Sequence, residues 1–342
     1  MKARVEGERL RDAIKAARRA IKSKPTIPVL ACVRIESTVD GMLAVRATDL
    51  DNEVTVWVQA EVAAPGVVVV PADRVETLAH GAQVDLARDG MDLTARSAAV
   101  RGRVLGLPAE QYPEPMERPG GDLDEVPVAR LAQCAPYASR EETRFYLNGV
   151  CLVNGHAVAT DGHTCCAAPL AEGQVGSGQI IPSAAIRLLG GLGTGAVRVS
   201  ENFWTADVGS ARATGKLIDG TFPDWQRVVP ADPARLSFDA DAFADALRSV
   251  AGMQDRNVSA VRMSVEDGRL LLAVRSETGG EATSDLPVDG EEISPCAFAG
   301  AYLARVAATF SGAVIGMGMK DAGSPAVFSC DRVRAVVMPM RV

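Results

Sequence analysis

The residues with most scope for chemistry in this 342-residue chain are seven cysteines and three histidines. Cys32, Cys134, Cys151, Cys165, Cys166, Cys296 and Cys330 are odd in number and form no C-x-x-C pair, which argues against a disulfide framework or a structural metal. Most lie in apolar runs such as LACVRI and GVCLVNG, where a free thiol behaves as a small hydrophobe. Only the adjacent Cys165 and Cys166 raise a redox reading. His80, His156 and His163 are scattered and supply no acid–base pair, and no P-loop, G-x-S-x-G or H-E-x-x-H occurs. GLGTGA at 191–196 fits G-x-G-x-x-A, but it follows the helical AAIRLL and precedes the strand-like AVRVS. A dinucleotide turn needs strand first and helix second, so this segment reads as a loop. A nucleotide-binding enzyme is therefore the distant alternative, and the expectation is a non-catalytic protein without cofactor or metal.

Charge is more telling. The chain carries a net −7, yet residues 1–24 hold nine Lys or Arg against three acids, which is +6. The remainder, 27 basic against 40 acidic, is −13. Segment 8–22, ERLRDAIKAARRAIK, spaces Leu10, Ile14, Ala17 and Ile21 as one helical stripe. Arg11, Lys15, Arg18 and Lys22 repeat that spacing one residue later, about 100° around the helix, so one face packs and its neighbour is positive. Pro25 and Pro28 end the helix and lead into the strand ACVRIEST. The other end of the chain, VVMPMRV, is apolar and sulfur-rich where termini are usually polar, so it is either sheltered by a core or offered to a partner.

The elements that must position these residues repeat. VVVVPADRVETLAHG (67–81) reads as strand, proline step and short helix, and QIIPSAAIRLLGG (179–191) reads the same way. ATDLD at 47 returns as ATDGH at 159, and QYPEP returns as TFPDW. A weaker third copy has helices at 239–255 and 298–310 with strands at 258–276 between them. Length and composition permit two or three cores, and the repeat divides the chain into thirds, 1–118, 119–230 and 231–342. No run of 18 apolar residues and no apolar leader occurs, which gives a cytoplasmic expectation.

RFYLNGV (144–150), ATDGH (159–163), KLIDGTFPDWQRVVP (216–230) and the terminal VVMPMRV together resemble the bacterial sliding clamps, the beta subunits of DNA polymerase III. The resemblance runs from MKARVEG to the last residue. It implies an α+β DNA clamp fold of three repeated domains, each with two helices and two antiparallel sheets. Two chains would join head to tail as a homodimer ring around double-stranded DNA. The implied role is processivity, and the implied partners are the polymerase catalytic subunit, the clamp loader and repair proteins. A second-copy clamp of plasmid or phage type is the alternative within this family.

Carried onto matching positions, the resemblance makes Arg11, Lys15, Arg18, Lys22, Lys24, Phe145 and Tyr146 DNA contacts. It implies a partner-peptide groove of Leu147, Thr160, Gly162, His163, Pro223, Arg227, Val228, Val336, Met338, Pro339, Met340 and Arg341. Unbranched methionines suit a surface that accepts several peptides. His163 reads either as a rim residue or as the close of a turn. After it the family commonly carries a basic residue and a leucine; here Thr164 and Cys165 stand instead, altering one groove wall. A dimer seam would pair the edge strand in 98–107 with the third domain through Arg96, Arg101, Arg103, Val104, Met253 and Glu281, with Gly102, Gly252, Glu277 and Asp285 alongside. With two glycines there, the seam is expected to be weak.

Overall fold

A computed structural model describes residues 1–116, 124–172, 174, 176–230, 234–253, 260–276 and 279–340. Arg341 and Glu277 lie outside the described residues. The chain divides into two compact units, one of residues 1–128 and 184–217, the other of 129–183 and 218–342. The helices are α1 (Gly7–Ala17), α2 (Ala72–Leu78), α3 (Val128–Cys134), α4 (Ser183–Leu192), α5 (Ala240–Ala251) and α6 (Gly300–Thr309).

The first unit is built on a 12-stranded sheet. Helix α1 packs Leu10, Ala13, Ile14 and Ala17 into its core, as the apolar stripe predicts. It can begin at Gly7 because a Cβ there would stand 2.3 Å from the Gly81 carbonyl oxygen. The helix is shorter than the 8–22 pattern. After Ala17 the chain tightens into a 3₁₀ turn, Arg18–Ala20, and Ile21 is extended, so Lys22 leaves the helix. The strand–proline–helix unit appears twice as read, Val67–Pro71 into α2 and Ser177–Pro182 into α4. GLGTGA is the end of α4 and the loop before strand Ala196–Val199, which is the wrong order for a nucleotide turn.

The second unit holds a nine-stranded and a four-stranded antiparallel sheet. One join recurs in both units. Strand Asn52–Ala64, which follows Ala-Thr-Asp at 47–49, pairs with Ala211–Lys216. Strand Thr164–Pro169, which follows Ala-Thr-Asp at 159–161, pairs with Val333–Val337. In each case a strand just after the motif meets a strand from later in the chain. Buried valines on these strands, Val54, Val56, Val58, Val336 and Val337 among them, each contribute roughly 1.5–3 kcal/mol, so register is firmly set by which face is apolar.

Among the described residues, Arg101–Val104 pairs only with Asp92–Arg96 and Glu281–Pro287 only with Arg269–Arg275, so each is an edge of its sheet.

Candidate functional site

The turn after Ala159 is organised by two side chains. Thr160 Oγ1 donates to the Thr164 carbonyl at 2.7 Å and accepts from Gly162 N at 3.1 Å. The Asp161 carboxylate accepts from His163 N, Thr164 N and Thr164 Oγ1 at 3.0, 2.7 and 3.0 Å. Gly162 sits at φ +91°, a conformation that favours glycine. From α6, 144 residues away, the Arg305 guanidinium reaches Asp161 at 3.0 Å and Thr164 Oγ1 at 2.7 Å, while lying over the rings of Tyr137 and Tyr302. Burial raises the Asp161 pKa, but the Arg305 guanidinium and the Thr164 and His163 amides outweigh it and hold the group below the usual carboxylate range. His163 stacks its ring on Tyr302. Both readings of His163 are thus realised, since it closes the turn and also borders the cavity beside it.

That cavity, of about 320 Å³, is where the scattered groove residues meet. Leu147, Thr160, Gly162, His163, Pro223, Val228, Val336 and Met338 all line it. Cys165 and Val336, directly opposed across two strands, form its floor with the 7%-exposed Trp225. The Trp225 indole N–H has no acceptor among the described residues. The terminal segment is held by its amides, Met338 N to the His163 carbonyl at 3.0 Å and Met340 N to the Ala297 carbonyl at 2.7 Å. Met338 is 41% exposed. Pro339 and Met340 face a second cavity of about 590 Å³ beside Arg262 and Pro295, with Met338 common to both. Arg227 does not line the first cavity but pairs at 3.0 Å with Asp224, which does. So the tail is backed by a sheet and presents its methionines outward.

The sequence reading missed Arg144, Asp224, Trp225 and Arg305 here. TFPDW carries two of them, but nothing in sequence ties Arg305 to this turn. Tyr146, read as a DNA contact, lines this cavity, and Phe145 packs edge-on against its ring at 5.9 Å while remaining exposed.

Residues 1–116 match the family described as DNA polymerase III beta subunit, N-terminal domain. The whole chain is similar to the beta sliding clamp of Caulobacter vibrioides, 34% identical with both chains fully covered. The chain belongs to the beta sliding clamp family. Its fold matches the solved Caulobacter crescentus pol III beta at a TM-score of 0.90 and 31% identity, covering both chains fully. It matches the DnaN sliding clamp from Bartonella birtlesii, solved bound to griselimycin, at 0.91 and 28%, again over both full chains. It is a sliding clamp of DNA polymerase III, a processivity factor without catalytic activity. No helix among the described residues is long and apolar enough to cross a membrane.

In this clamp most of the basic stripe is engaged. The Arg11 fork donates twice to the Ala79 carbonyl, at 3.1 and 2.8 Å, capping the C-terminal end of α2. Arg18 pairs with Glu76, and Lys22 lies 3.6 Å from Asp49 and 3.2 Å from Asp51. Lys15 and Lys24 are exposed and have no ion pair among the described residues.

At the edge strand, Arg101 and Arg103 are exposed, and Arg103 pairs with Asp92 at 2.5 Å. Val104 is 6% exposed and packs into its own core, while the apolar side chain left outside is Leu105, 74% exposed. Gly102 is occupied from within, since a Cβ there would meet Leu78 at 2.6 Å. Arg96 lies on the neighbouring strand, paired in register with Arg101. In the second unit, Met253 is exposed just past α5, and Glu281 opens an edge strand of the four-stranded sheet.

Cys165 and Cys166 point to opposite sides of their strand, so they cannot act as a pair. Cys166 instead lies 3.6 Å from the Cys134 sulfur. Burial pushes the Cys165 thiol up to about 12, and the Cys134 sulfur followed by burial pushes Cys166 well above the ordinary thiol value. Both are protonated near neutrality and poor nucleophiles.

Proposed function

We propose that this clamp closes head to tail with a second copy into a ring of six domains, three per chain with boundaries near 118 and 230, encircling duplex DNA. The apolar cavity between the Thr160–Thr164 turn, the Trp225–Val228 3₁₀ turn and the terminal strand receives a short peptide from the polymerase catalytic subunit, the clamp loader or repair proteins. The observation that carries this is the convergence of Leu147, Thr160, Gly162, His163, Pro223, Val228, Val336 and Met338 on one cavity, with Met338 exposed. An unbranched thioether adapts to different apolar side chains at little cost.

DNA is held by position rather than by sequence. Lys15 and Lys24 have no ion pair among the described residues, whereas Arg18 and Lys22 are ion-paired and Arg11 is held by a carbonyl, so fewer cations are ready to meet phosphates than the stripe suggests. Loader-free DNA binding is accordingly weak and salt-sensitive. Sequence-specific base contacts would arrest sliding. The ring joins the Arg101–Val104 edge to the partner's Glu281–Pro287 edge by strand pairing, with Leu105 as the apolar contribution. Exposed ion pairs add roughly 0–1 kcal/mol each, so dimerisation weakens as salt rises.

Removing Met338 through Val342 tests the groove. Fluorescence anisotropy with a clamp-binding peptide should show binding lost, with the dimer intact by sedimentation. Unchanged affinity would make the tail structural only.

A further inference from the structure

Beyond Trp225 the groove does not end. Along strand Val333–Val337 alternate residues share a face, so Arg334, Val336 and Met338 stand in one row. Their cross-strand neighbours repeat the order, Cys165 opposite Val336 and Ala167 opposite Arg334. Val336 and Cys165 belong to the apolar cavity; Arg334 and Ala167 belong to a separate one of about 500 Å³. Trp225 lines both and is the wall between them. At about 3.3 Å per residue, Arg334 lies roughly 7 Å from Val336, and Arg332 stands at the turn beyond it.

The second cavity differs in character. Arg332 and Arg334 are exposed, and neither guanidinium has an ion pair or hydrogen bond among the described residues. His156 and Gln226 add polar groups, and Asp331 is the one carboxylate among the described residues that line it. In a chain of net charge −7 these two guanidiniums meet at one cavity without an ion pair among the described residues.

We infer that this cavity is an extension of the peptide groove that receives acidic side chains flanking the apolar core of a partner peptide. The inference rests on the groove reading above. An extended segment with its apolar anchor over Val336 places residues two to four positions onward beside Arg334 and Arg332. Guanidiniums suit carboxylates because the planar fork donates in pairs. Only one end of a bound peptide passes Trp225, so only that end responds to acidity.

The test uses the full-length clamp and three labelled synthetic peptides sharing a Leu- and Phe-containing core. One has neutral Ser flanks, one an Asp-Asp flank at its N-terminal side, and one the same flank at its C-terminal side. In anisotropy titrations, one acidic peptide should bind about three- to thirtyfold tighter than the neutral one. The other should gain nothing. In the double variant R332Q/R334Q the advantage should fall below about twofold while the neutral peptide keeps its affinity. Equal affinities for all three peptides in the unsubstituted clamp would overturn the inference. So would an advantage that survives in R332Q/R334Q, or gains at both ends alike. Loss of DNA retention in that variant with the peptide ratio unchanged would assign the arginines to DNA and also overturn it. If the neutral peptide itself fails to bind, the groove reading falls, and this inference with it.

Discussion

The two Ala-Thr-Asp turns share one backbone device and differ in what it carries. At 48–52, Thr48 Oγ1 donates to the Asn52 carbonyl and accepts from Leu50 N, while Asp49 accepts from Asp51 N and Asn52 N. At 160–164 the same four bonds recur, position for position. The third residue has positive φ in both, Leu50 at +76° and Gly162 at +91°. What differs is the side chain at that residue, the residue after it, and the cation facing the aspartate. The first turn carries Leu50 and Asp51, with the exposed Lys22 alongside; the second carries Gly162 and His163, with Arg305 held between two tyrosine rings. A repeated motif therefore marks framework. Function resides in the positions where the copies diverge.

Removing each aspartate should separate framework from function with the largest effect. Asp161→Ala orphans two amides and a largely buried guanidinium, an expected loss of about 2–4 kcal/mol in chemical denaturation. Peptide affinity should fall more than tenfold at the same time. Asp49→Ala should cost about 1–3 kcal/mol and leave peptide affinity unchanged, because none of the residues of its turn lines the groove cavity. Equal loss of peptide binding in both variants would break the distinction.

Gly162→Ala is the next largest. A Cβ there meets the Arg144 guanidinium at 2.9 Å in a backbone conformation that disfavours side chains. Peptide affinity should fall about tenfold, with modest loss of stability. Leu50→Gly relieves the same strain in the other copy, and its stability should change by less than about 1 kcal/mol, toward stabilisation.

Acid sharpens the contrast further. The folded-state pKa of Asp161 lies below its unfolded value, so its stabilising contribution is fully present above about pH 4 and is lost as pH falls through the folded value. Denaturation midpoints followed downward from pH 5 should fall more steeply for the unsubstituted clamp than for Asp161→Asn, which has no carboxylate to protonate. Parallel pH profiles would remove Asp161 from the account.

Local pattern carried much of this in the sequence. Periodicity placed the packed face of α1, proline steps placed α2 and α4, and the order of GLGTGA excluded a nucleotide turn. Four short motifs held most of the cavity wall. What stayed hidden depends on contacts distant in sequence. Arg305 acts across 144 positions, Arg11 is absorbed by the Ala79 carbonyl 68 positions on, and Tyr146 turns toward the cavity. Strand phase decided another case, since a one-residue difference buries Val104 and exposes Leu105. The C-terminal shortening of α1 moved Lys22 off the stripe and beside Asp49 and Asp51.

The most direct measurement of the central claim is retention on DNA as a function of DNA topology. The clamp is loaded by a clamp loader onto nicked circular DNA, isolated by gel filtration, and measured before and after a single cut that linearises the circle. An encircling clamp stays on the circle in moderate salt and runs off the linear product. Retention that survives linearisation would mean that the protein holds DNA by contact, and would contradict the account.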